Sequence, residues 1–171
     1  MTQFLQLGLA LMLGVGASVQ VAMLGAIGRD RGAVEAGWLS IFGTVAGIAA
    51  VLAIRSARGD MVDLPIPFDR WWIFVVIGLI SVGVLVLGFH GPSAYLAVVG
   101  LFGAAFIVGG AALAPKLGVA LLFSAVTAGT LAGALVMDHY GAFGNDAQRV
   151  TLLRVVGVLV VLGGVVIVRW R

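Results

Sequence analysis

The chain has 171 residues, 62% of them hydrophobic and 10% charged, with no cysteine and a mean hydropathy of +1.20. A soluble domain of this size could not hide so much apolar surface, and the missing thiols exclude disulfides, cysteine nucleophiles and cysteine-bound metals. The formal net charge of +3 is spread between apolar runs, which points to lipid headgroups and away from nucleic acid.

A helix needs about 20 apolar residues to cross a bilayer, and runs of that kind occupy 4–27, 34–54, 71–89, 93–114, 117–137 and 150–168. The expected fold class is therefore an all-α integral membrane protein, one bundle of about six transmembrane helices forming a single domain over 1–171. Open strands would leave unpaired edges in lipid, and the continuously apolar runs lack the alternation of a barrel. The first run has no basic segment before it and is too long for a secretory signal, so it reads as a retained helix. It contains Gln20, with Ser18 two positions earlier. Hydrocarbon cannot solvate an amide, so Gln20 faces either a partner helix or a wet path. Ser18 can satisfy itself on a carbonyl one turn back. Gly28-Arg29-Asp30-Arg31-Gly32 then reads as a charged turn.

The second run contains Gly43-Thr44-Val45-Ala46-Gly47, and the fifth contains Gly129-Thr130-Leu131-Ala132-Gly133. Small residues four apart let backbones approach closely, either within the bundle (Gly43, Gly47, Gly129, Gly133) or between two copies. Between the second and third runs, Pro65 and Pro67 force an extended path, and Trp71 and Trp72 follow as an interface anchor. His90-Gly91-Pro92 and Pro115-Lys116-Leu117-Gly118 are tight turns. Ser124, Thr127 and Thr130 recur every three residues. They either line a narrow path or bond their own backbone inside a packed seam.

Residues 138–149 form the second longer loop, and Arg154 sits just inside the sixth run. An arginine there belongs near the interface or beside a partner, and Asp138 is that partner. The pair is either a gate or an anchor for the last hairpin. His139 either shuttles a proton beside Asp138 or caps a helix. Neither His139 nor His90 has a second ligand at metal spacing, so no metal and no cofactor are expected. No carboxylate occupies the centre of a run, and no nucleophile–base pair or phosphate loop is present, so the chain is not read as an enzyme. An even number of spans places both termini on one side, with Arg55, Arg58, Arg70, Lys116, Arg169 and Arg171; this excess favours the cytoplasm.

Ala114-Pro115-Lys116-Leu117-Gly118, Asp138-His139-Tyr140-Gly141-Ala142-Phe143-Gly144 and the final helix from Thr151 to Arg169 resemble the YdcZ-like family, a five-helix branch of the drug/metabolite transporter superfamily. Gln20 and Ser40 with Gly43-Thr44 extend the resemblance to the first two runs. Residues 71–89 look like an additional helix, Leu24 stands where the family tends to carry Asn, and Thr130 stands where a second amide is common. The resemblance implies a multi-pass protein of the bacterial inner membrane, surrounded by lipid. It also implies about ten spans in two inverted halves, so this chain would need a second copy or another membrane subunit. Solute would then pass near Gln20, Thr127 and Thr130. The alternative is a structural subunit of a larger complex whose cavity has closed.

Overall fold

The computed structural model describes residues 2–60, 62–68, 70–89 and 91–170, without the side chains of 2 and 91–93. His90 lies outside the described residues. The chain forms six long apolar helices, α1 (Thr2–Arg31), α2 (Ala33–Ala57), α3 (Trp71–Gly88), α4 (Val99–Leu117), α5 (Val119–Tyr140) and α6 (Leu152–Arg169). Short 3₁₀ segments precede α4 (Gly91–Val98) and follow α5 (Ala142–Gly144). There is no sheet among the described residues.

Several helices run past the C-terminal ends of their apolar runs. The α1 helix continues through Arg29, Asp30 and Arg31, which the sequence reading made a turn. Cations are favoured at a helix C-terminus, where carbonyls lack partners. The break comes at Gly32, whose φ of 105° and ψ of 152° lie in a region open essentially to glycine alone. Likewise α4 keeps Pro115 to Leu117 and stops at Gly118, with φ 79° and ψ 150°. Each glycine turns the chain between helices with one residue. The α5 helix runs on to Tyr140, so Asp138 and His139 belong to its last turn, and Gly141 caps it in the left-handed region.

The bundle is centred on α1, α2, α4 and α5; α3 rests on α2, and α6 rests on α5. Among the described residues none of α6 is buried. Two parallel seams hold the centre. In one, a methyl on Gly129 would lie against the Leu11 carbonyl, 2.8 Å from its carbon. One on Gly133 would meet the Ser18 hydroxyl and come 3.2 Å from the Val15 Cα. In the other, a methyl on Gly43 would lie 2.8 Å from the Gly100 Cα, and one on Gly47 would lie 3.0 Å from the Ala104 Cβ. All four glycines therefore sit at contacts within the chain. Such backbone approach is the main source of helix association in lipid, where no hydrophobic drive separates one apolar surface from another.

Larger side chains fill the ends of these seams. Met23, Ile27, Leu39, Leu85, Phe89, Leu96 and Val99 form one buried cluster, and Ala10, Leu113, Leu122, Ala125 and Val126 form another. Exposed leucine, valine and isoleucine side chains cover the outside, including the face of α3 turned away from α2 and much of α6. Trp71 and Trp72 open α3 and are exposed.

Candidate functional site

Serine and threonine are tolerated in apolar helices because the hydroxyl can donate to a carbonyl one turn back. Ser18 Oγ donates to Val15 O at 2.7 Å, Ser124 Oγ to Ala120 O at 2.8 Å, and Thr130 Oγ1 to Val126 O at 2.9 Å. With their protons so used, these oxygens offer lone pairs to anything beside them. Ser18 and Thr130 line one groove between α1 and α5, with a volume of about 450 Å³. Arg29, Asp138, Asn145, Asp146 and Gln148 surround its mouth. From Arg29 to Ser18 is eleven residues of helix, roughly 16 Å of rise, which is about half the thickness of the hydrocarbon layer.

The loop after α5 frames the mouth. Asn145 Nδ2 donates to Ala22 O at 3.1 Å on α1 and to Ala142 O at 2.7 Å. Arg29 donates to Asn145 Oδ1 and, at 3.0 Å, to Phe143 O. Phe143 has φ 59°, a conformation that costs a non-glycine residue energy unless its surroundings impose it. Here the Arg29 bond holds its carbonyl, and its ring stacks on Tyr95 at 6.3 Å. Gly25 leaves room for Asn145, whose Oδ1 would lie 3.2 Å from an added methyl.

Arg154 Nη1 lies 3.5 Å from Asp138 Oδ2, and its Nη2 donates to Gln148 Oε1 at 2.6 Å. Both members of the Arg154–Asp138 pair are about half exposed. His139 Nδ1 accepts from the Val150 N–H at 3.4 Å, and its ring meets Tyr140 edge-on. Asp138, His139 and Arg154 thus tie the start of α6 to the end of α5, beside the groove and not across it.

Gln20 is turned away from the groove. Two residues along a helix rotate the direction by about 200°, so Gln20 points from α1 to the side opposite Ser18. Its Nε2 donates to Ser40 Oγ at 3.3 Å on α2, and a methyl on Gly103 of α4 would come within 3.0 Å of it. Thr44 closes the same junction, its one hydroxyl proton shared between Ser40 O and Gly100 O, both at 3.0 Å. Gln20→Leu is expected to remove one interhelical bond, at a cost of about 0.6 kcal/mol, a loss readable as a small fall in thermal midpoint. The Ser124–Thr127–Thr130 stripe also divides. Six residues rotate the helix direction by about 120° off a common face. Ser124 and Thr127 therefore meet Val161, Gly164 and Val165 of α6, while Thr130 faces Ser18.

Asn145 escaped the sequence reading, and Arg29 entered it only as part of a charged turn; together they organise the groove mouth. They are 116 residues apart, and neither lies in a periodic pattern. The available signal was a short polar residue after a glycine, in a loop beside the end of a helix rich in cations.

Residues 5–167 match the family model DMT_YdcZ, described as "Putative inner membrane exporter, YdcZ". No curated protein and no solved structure matches the chain. The match runs through all six apolar helices and both glycine seams, and the chain belongs to the YdcZ family of drug/metabolite transporter membrane proteins.

Proposed function

We propose that this chain exports a small polar solute, and that the solute passes through the α1/α5 groove. The observation that carries this reading is the groove itself: hydroxyl oxygens at its floor, with charged and amide groups at its mouth. The direction rests on the family's description. Because the Ser18 and Thr130 protons are directed at their own helices, the floor favours a solute that brings N–H or O–H donors. At the mouth Asp138 and Asp146 are offset by Arg29 and by Arg154, which pairs with Asp138, so the charges balance and favour a neutral polar solute. The closed packing around Gln20 argues for a path on the other face of α1. With both termini in the cytoplasm of a bacterial cell, the mouth would face outward, in a state that releases solute.

The test is efflux from proteoliposomes loaded with labelled sugar alcohols, amino acids and short amines. Release of one class is expected, with Ala134→Phe in the groove reducing it to the level of empty vesicles at an unchanged thermal midpoint. Gln20→Leu should leave release intact. Efflux equal to protein-free vesicles for every class would refute the reading.

A second reading, a structural subunit of a larger membrane complex, is favoured by the tight Gln20 junction and by the bare faces of α3 and α6. Purification in mild detergent separates the two. A monomer or self-dimer that supports efflux fits the transporter; tight association with unrelated subunits fits the accessory role.

A further inference from the structure

We propose that the chain is an inverted repeat of two three-helix units, α1–α3 and α4–α6, and that its α2/α4 seam is a second gate, opening on the terminal side as the α1/α5 groove closes. The gating half of this inference rests on the transport reading; the repeat does not.

A constant shift of 86 in residue number relates the two units. It carries Gly14 to Gly100, Gly32 to Gly118, Gly43 to Gly129 and Gly47 to Gly133. Gly43-Thr44-Val45-Ala46-Gly47 and Gly129-Thr130-Leu131-Ala132-Gly133 differ only by Val against Leu. The same shift carries contacts as well as residues. A methyl on Gly14 would meet Val126 O and Thr130 N, while one on Gly100 would meet Ser40 O and Thr44 N, the corresponding atoms. A methyl on Gly129 would face Leu11 O, and one on Gly43 would face Ala97 O. Gly133 abuts Ser18 and Val15; Gly47 abuts Ala104 and Leu101. Both one-residue turns, Gly32 and Gly118, are glycines at positive φ with ψ near 150°. The third helices, α3 and α6, each have 18 residues, and each rests on the helix before it.

Small residues alone would produce a stripe. Three matching pairs of backbone contacts, the matched neighbours of Gly47 and Gly133, and one matching pair of turns specify a repeat. Three spans is an odd number, so the second unit enters the membrane from the opposite side, and the two are inverted. Units of that kind can exchange conformations, each state being the other's mirror in membrane orientation.

The two seams are not in the same state. Thr130 Oγ1 bonds only its own helix, and beside it the α1/α5 groove is open. Thr44 Oγ1, its counterpart, shares its proton between Ser40 O of its own helix and Gly100 O across the seam, and so ties α2 to α4. Exchange of the two states would release Thr44 from Gly100 O and let Thr130 reach the Gly14 carbonyl. A space would then open beside Ile48, the counterpart of Ala134, at the end of the bundle that holds the termini.

The chain has no cysteine, so single thiols can be introduced directly. Ala134→Cys and Ile48→Cys would be labelled in sealed right-side-out and inside-out vesicles with a membrane-impermeant trimethylammonium methanethiosulfonate, which reacts with thiolate in water. Ala134→Cys is expected to react from one side only, and Ile48→Cys more slowly and from the other. Adding Thr44→Val, which removes one cross-seam bond, should raise Ile48→Cys labelling about threefold and lower Ala134→Cys labelling in the same preparation. Thr44→Ser, which keeps the hydroxyl, should restore both. Faster Ile48→Cys labelling with Ala134→Cys unchanged means local loosening and overturns the gate. Labelling of both thiols from one side, or none at Ile48→Cys even with Thr44→Val, overturns it too. If Ala134→Cys reacts from neither side, the groove is dry, and the transport reading falls together with the gate.

Discussion

Gly129→Ala is expected to lower the thermal midpoint as much as any single-methyl addition outside the turns. The new Cβ would lie 2.8 Å from the Leu11 carbonyl carbon and 3.0 Å from the Leu11 Cα. Both are backbone atoms, so no rotamer change relieves the clash, and α1 and α5 must separate. Overpacking of this kind costs about 1–3 kcal/mol, and the separation also loosens the contacts of Gly14 and Gly133 in the same seam. For a chain of this length, a loss of 1–3 kcal/mol is a fall of several degrees, at about 2–4 °C per kcal/mol. Gly157→Ala on α6, where an added methyl meets nothing within 4 Å, serves as the control and should melt as the parent does. Gly100→Ala should behave like Gly129→Ala, since its methyl would meet the Gly43 Cα, Ser40 O and Thr44 N. Equal melting of Gly129→Ala and the parent in detergent would mean that α1 and α5 do not approach this closely.

Asn145→Ala is expected to free the loop between α5 and α6 without melting the bundle. Asn145 makes two donor bonds, to Ala22 O and Ala142 O, and accepts from Arg29. Neutral bonds contribute about 0.5–1.5 kcal/mol net and a bond to a charged group about 1.5–3 kcal/mol. The Arg29 bond is exposed and lies below that range, but the joint loss releases the loop from both Ala22 and Arg29 of α1. Backbone amides over 142–150 should exchange with deuterium much faster, while those of α1 and α5 in the seam stay protected. The groove mouth would widen, and with it the rate of solute release if the loop limits release. Arg154→Ala should do far less, because its partners are half exposed and such surface pairs are worth about 0–1 kcal/mol. A larger effect from Arg154→Ala than from Asn145→Ala would contradict this assignment of the latch.

The contrast between Gln20 and Asn145 shows where sequence reasoning stops. A solitary amide in an apolar run is conspicuous, and Gln20 does meet a polar partner, Ser40. Which neighbour it meets depends on how α1 is rotated against α2, α4 and α5, and no local pattern encodes that angle. The stripe of Ser124, Thr127 and Thr130 was equally visible, yet two of its members face α6 and one faces α1. Asn145 was invisible for the opposite reason. It lies in a loop, and its importance comes from Ala22 and Arg29, far away in the chain.

Crossing a bilayer is a matter of local length and hydropathy, so the six spans, their order and the glycines that end or thin them could be read from residues in line. Even the motif shared by α2 and α5 lies open in the sequence. The groove, the closed junction at Gln20 and the unequal state of the two seams were decided only in three dimensions. Each depends on which faces of two helices meet, and in lipid that choice is made by the fit of backbones at Gly14, Gly43, Gly100 and Gly129, not by hydrophobicity, which every face shares.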